Sequence, residues 1–137
     1  MGLTEDDRKE IVKYRMEKAR ETLAEIPILM ENKFYRTAAN RLYYACFYAA
    51  TALLINDGEE AHTHSGMKAL LGRDYIKENK IEKEFGKMYS NLFGLRQTGD
   101  YEDRVIVKEE NIKPYLQPAK DFIEKIEQLI LQNKTKR

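Results

Sequence analysis

The sequence predicts an all-α protein, an up-and-down bundle of four to five helices. Three observations carry that prediction. Apolar residues recur at spacings of three and four through most of the chain. Turn and capping residues punctuate it between those stretches. The one β-branched run, Val105-Ile106-Val107, has no segment of similar character to pair with and is read as an ordered loop. With 137 residues, 42% of them hydrophobic, the chain suits one domain with its own core and is too short for two ordinary ones. That domain is expected to span residues 1–137, with a core over about 4–131 and a polar, basic, frayed tail over 132–137.

The elements follow in order. Thr4, then Glu5, Asp6 and Asp7, reads as an N-cap with acidic residues facing the helix dipole. A first helix runs from there to about Glu31, with a stripe formed by Ile11, Tyr14, Ala19, Leu23 and Ile26 and a kink or break expected near Pro27. Phe34 to Ile55 forms a second helix, apolar nearly all round and therefore central, with Phe47 counted as core. Asn56-Asp57-Gly58 ends it. A third helix begins near His64-Ser65, carries Met67, Leu70, Leu71, Tyr75 and Ile76, and breaks around Asn79-Lys80. A fourth spans about Glu82 to Leu95, with Gly94 and Gly99 loosening its end. The last starts between Lys108 and Ile112, with Pro114 tolerated in its first turn, and runs through Phe122, Ile126 and Ile130.

Charge and composition exclude several function classes. The 24 basic and 23 acidic residues nearly cancel, so no global field draws nucleic acid or anionic membrane, and any RNA contact must come from a local patch. The lone Cys46 cannot form an internal disulfide and reads as a small core residue. The acidic, polar start lacks the pattern of a signal peptide, so cytoplasmic residence is expected. The longest uncharged stretch, Leu42 to Ile55, falls short of the roughly 20 residues that cross a bilayer, so no membrane role is expected.

Three segments carry a resemblance. They are the run from Tyr35 to Ala50 with Asn40-Arg41-Leu42-Tyr43-Tyr44-Ala45 at its centre, Thr63-His64-Ser65-Gly66 at the start of the third helix, and Leu95-Arg96-Gln97-Thr98-Gly99-Asp100-Tyr101 at the end of the fourth. Together, over about residues 10 to 130, they resemble the HEPN family, in particular its small stand-alone bacterial and archaeal members. That resemblance implies a bundle of four or five helices, a homodimer, and a minimal nucleotidyltransferase as partner. In catalytic members it implies a metal-independent ribonuclease with an arginine, four to six intervening residues and a histidine at the dimer interface. Arg96 matches the arginine, while Tyr101 stands where the histidine would be and Glu102 and Asp103 follow. In modified members the acceptor tyrosine lies two residues beyond the histidine, where this chain has Asp103.

Metal-free RNA cleavage needs a base for the 2′-hydroxyl, an acid for the leaving oxygen and a cation for the phosphorane charge. Arg96 supplies the cation. Tyr101 can donate a proton but, as a tyrosine with a reference pKa of about 10, is a poor base. His64 restores a base only if the start of the third helix packs near the end of the fourth; otherwise it is a helix-start residue bonded to its neighbours. His62 and His64 lack a further His or Cys for a metal site, and no metal or cofactor is expected. Arg41, in an otherwise apolar helix, needs a carboxylate, and Asp100 is the preferred partner. Tyr35, Tyr43, Tyr44 and Tyr48 are either core with tethered hydroxyls or a base-stacking platform.

The candidate catalytic residues are thus Arg96, Tyr101 and His64, and the candidate binding residues Arg41, Tyr44, Arg96 and Asp100. The sequence is read as a homodimeric HEPN-like module that binds RNA or nucleotide phosphate around Arg96 beside a nucleotidyltransferase-type partner, in a toxin-antitoxin or defence-like setting. Two alternatives stand: a metal-independent endoribonuclease toxin, and a purely structural docking partner.

Overall fold

In the computed structural model, which describes residues 4–101 and 105–135, the Thr4 hydroxyl accepts from the Asp7 backbone N–H at 3.0 Å and starts α1, Glu5–Glu31. Pro27 lies inside α1 without ending it. The expected break does not occur: one lost backbone hydrogen bond near the helix end is outweighed by docking of the neighbouring Ile26, which is buried. Lys33, at φ 61°, turns the chain into α2, Tyr35–Asn56.

α2 is the centre of the molecule. Leu42, Tyr43, Ala45, Cys46, Ala49, Ala50, Ala52 and Leu53 are fully buried, and the helix contacts α1, α3 (His64–Leu71), α4 (Lys83–Tyr101) and α5 (Glu109–Thr135). The alanines let those neighbours approach closely, and burial of this apolar surface is the main stabilising term. Phe47, read as core, is only half-buried, because it lies on the face where α3 covers α2 with a short helix.

α3 does not continue unbroken through Ile76. It passes into a π-helical turn at Gly72–Ile76, where the Tyr75 hydroxyl donates to Asp57 at 2.5 Å and ties the turn to the end of α2. Asn79, at φ 60°, ends the segment at the place the sequence suggests. α4 follows as Lys83–Tyr101, about one and a half turns longer than expected, and α5 as Glu109–Thr135. Gly94 and Gly99 do not loosen α4, because its last turns are held from α2 by side chains described below. Pro114 falls in the second turn of α5, and Pro118 lies four residues on along the same face; both are accommodated. α5 runs as far as Thr135.

Val105 to Val107 forms no strand, and none occurs among the described residues. Val107 is buried against Gly99, where an added methyl would sit 3.4 Å from its side chain. Glu102 and Asp103, which follow Tyr101 in the resemblance to the catalytic motif, lie outside the described residues. No helix among the described residues is long and apolar enough to cross a membrane.

Candidate functional site

One face of α2 is built to hold the end of α4. Arg36, Asn40 and Tyr44 recur every four residues and so share a stripe along the helix. Arg36 donates to the carbonyls of Gly99 and Val105, the Asn40 amide donates to Asp100 at 2.9 Å, and the Tyr44 hydroxyl accepts from Arg96 at 3.0 Å. Arg96 Nε also donates to Asp100, at 3.1 Å, one turn along α4. Four side chains from two helices thereby fix each other.

Arg96 is 8% exposed, which carries a desolvation cost that its surroundings offset. Beyond the Asp100 pair and the Tyr44 hydroxyl, its guanidinium lies 5.7 Å from the Tyr43 ring, 5.3 Å from the Tyr44 ring and 5.7 Å from the Tyr101 ring. Nε and Nη2 are occupied, whereas Nη1 has no acceptor among the described residues. No buried side-chain polar atom there lacks a hydrogen-bond partner, so Nη1 reaches the surface. Tyr101 is 72% exposed at its rim.

His64 belongs to the same cluster. Thr63 caps α3 by accepting from the Gly66 N–H at 2.8 Å, which fixes His64 as the first residue of the helix. Its ring then lies 4.8 Å from Phe47, 5.5 Å from Tyr43, 5.8 Å from Tyr44 and 6.2 Å from Phe93. Nδ1 shares a 2.7 Å hydrogen bond with the Tyr43 hydroxyl, itself 3.5 Å from the Tyr89 hydroxyl. Burial, and then the nearby Arg96 charge, lower the His64 pKa, keeping the imidazole neutral at pH 7. The Tyr43 hydroxyl is pushed up to about 12, chiefly by burial, and stays protonated. If Tyr43 donates to Tyr89, His64 Nδ1 carries the proton and Nε2 is a free base; if Tyr43 donates to His64, the roles reverse.

Arg96, Asp100, Tyr44, Tyr101 and His64 therefore converge as the sequence groups them. Arg41 does not. It pairs with Glu25 of α1 at 3.1 Å and reaches Thr22, and it is only partly buried. One residue along a helix is about 100° of rotation, so Asn40 and not Arg41 faces Asp100. Arg36 and Asn40 were missed, although their four-residue spacing to Tyr44 is visible in the sequence. Of the tyrosines, Tyr43 is core, while Tyr44 and Tyr48 are half-buried. No group of three or more His, Cys, Asp or Glu side chains placed to hold a metal occurs among the described residues.

The family model described as HEPN domain matches residues 12–129. A UPF0332 protein of Thermotoga maritima is 39% identical, over 91% of this chain and 95% of its own length. A Methanocaldococcus jannaschii protein named "Putative toxin" is 31% identical over 94% and 96%. The crystal structure of TT1696 from Thermus thermophilus superposes with a TM-score of 0.73 at 18% identity, covering 85% of this chain and 96% of that one, and so shares the fold. With the family model spanning most of its length and a relative this similar from end to end, the chain belongs to the HEPN domain family.

Proposed function

We propose that this HEPN module binds RNA or a nucleotide, with Arg96 holding a phosphate. The observation that carries this reading is the state of Arg96: braced by Asp100 and Tyr44, with Nη1 left at the surface. A guanidinium fixed in this way presents its donors without losing further side-chain entropy, and its fork suits phosphate oxygens. Asp100 and Tyr44 position it; Tyr101 forms an exposed rim on which a base can stack. On this reading the module is a homodimer that works with a nucleotidyltransferase-type partner, in a toxin-antitoxin or defence-like setting. The toxin names of two relatives support that setting. Equilibrium binding of a labelled oligoribonucleotide tests the proposal: Arg96→Ala weakens binding while the circular dichroism spectrum is kept, and undiminished binding overturns it. Sedimentation at micromolar concentration, expected at twice the chain mass, tests the dimer.

A second reading is favoured by one observation, the neutral His64 in the Arg96 cluster. There His64 takes the 2′-hydroxyl proton, Arg96 stabilises the phosphorane and Tyr101 protonates the leaving oxygen, giving a metal-independent endoribonuclease. Cleavage of RNA in the presence of a chelator, abolished by His64→Gln, is the result that reading requires.

A further inference from the structure

α3 and α4 lie antiparallel, and the seam between them leads away from the Arg96 cluster. At its head the His64 ring rests 6.2 Å from Phe93. At its far end a methyl added to Gly86 would collide with Ile76 of the π-helical turn. Between these ends the seam opens into a cleft of about 630 Å³. Its floor is apolar, formed by Leu71, Ile76 and Tyr89, and its banks carry Lys68 on α3 and Lys83 and Lys87 on α4.

The charge of this cleft departs from that of the chain. The protein as a whole is close to neutral, yet three lysines face this one opening against a single carboxylate, Glu84. None of the three lysines has a carboxylate partner among the described residues. Lys83 and Lys87 stand one helical turn apart, and Lys68 faces them from the other bank, so positive charge lines both sides of a groove. Ser90, also on its wall, adds a hydroxyl donor towards the His64 end. From Lys83 to Arg96 is about 20 Å along α4.

We propose that the α3–α4 cleft is a track for single-stranded RNA, in which Lys68, Lys83 and Lys87 neutralise backbone phosphates of a strand that passes the His64 end of the seam and places a phosphate several nucleotides further on against Arg96. This rests on the reading of Arg96 as a phosphate contact and extends it from one nucleotide to a strand. Recognition is of the backbone: among the described residues the one aromatic lining the cleft is Tyr89, which is fully buried and offers no face on which to stack a base, so the track is indifferent to sequence and sensitive to salt.

The test compares two probes, a long oligouridylate and the dinucleotide UpU, on the full chain and on the triple variant Lys68→Ala, Lys83→Ala, Lys87→Ala. The track predicts that the variant binds the oligouridylate ~tenfold more weakly at low salt, with a logarithmic salt slope shallower by about 0.7 per lysine. UpU binding is unchanged, because it engages Arg96 alone, and the corresponding triple arginine variant keeps oligouridylate affinity. Oligouridylate binding that the alanine variant leaves intact overturns the track but spares the Arg96 reading. Equal loss of UpU binding in that variant overturns it too, since the cleft then holds a small nucleotide. Failure of the unaltered chain to bind either probe overturns both.

Discussion

Arg96 donates from Nε to Asp100 Oδ2 at 3.1 Å, and the same oxygen accepts from Asn40 on another helix at 2.9 Å. Asp100 thus joins a buried cation to α2 and closes the last turn of α4. Removing the carboxylate leaves the guanidinium without its charge partner and breaks one of the ties between the two helices. Asp100→Ala is expected to cost about 1–3 kcal/mol in chemical denaturation, the range for a charged hydrogen bond lost at a partly buried site. Arg41→Ala, which breaks a half-exposed pair with Glu25, is expected to cost under about 1 kcal/mol. Equal effects would contradict the assignment of Asp100 to Arg96.

The helix pattern, the central place of α2 and the Thr4 cap are all legible in the sequence, because they depend on periodicity and local chemistry. The true end of α4 is not. Two glycines argue for an early stop, and only long-range bonds from Arg36 and Asn40 carry the helix on to Tyr101. The Arg41–Asp100 expectation failed for a related reason: a charge in an apolar helix shows that a partner is needed, but its direction depends on helix rotation. The convergence of His64 on Arg96 is legible only as a condition, since the path of α3 is set by tertiary packing.

Core packing gives the next expectation. Phe122 is fully buried against Phe85 and Tyr89, with ring centroids 5.8 Å and 5.9 Å away. Phe122→Ala is expected to cost about 3–5 kcal/mol through lost transfer energy and the cavity left behind. Phe47→Ala, at a half-buried position, is expected to cost clearly less. The reverse order in urea denaturation would place the core elsewhere.

Gly86 predicts a steric effect. A methyl there meets the terminal Cδ1 of the half-buried Ile76, which must turn aside, so Gly86→Ala is expected to gain less than the ~1 kcal/mol that alanine's better helix propensity offers. Adding Ile76→Ala removes the obstructing side chain, and the double variant is expected to cost less than the sum of the two single changes. Strict additivity would show that α4 and the π-helical turn are not in contact.

His64 sets a pH dependence. Its pKa in the folded protein lies below the ordinary 6.5, so on acidification the unfolded chain takes up the proton first. Its contribution to stability is therefore present above pH 6.5 and is lost as pH falls from there through the folded pKa. Nuclear magnetic resonance titration is expected to place His64 below 6.5, and Arg96→Ala to raise it by removing a nearby positive charge. A value at or above 6.5 would contradict the half-buried placement beside Arg96.

The central claim is that the Arg96 guanidinium, not merely its charge, holds an RNA phosphate. The most direct measurement is the affinity of a short oligoribonucleotide for the unaltered chain and for Arg96→Lys, at the same salt concentration and with folding checked by circular dichroism. Lysine keeps the charge but loses the planar fork that Asp100 and Tyr44 brace, so binding is expected to weaken by ~tenfold or more. Equal affinity of the two proteins would contradict the account.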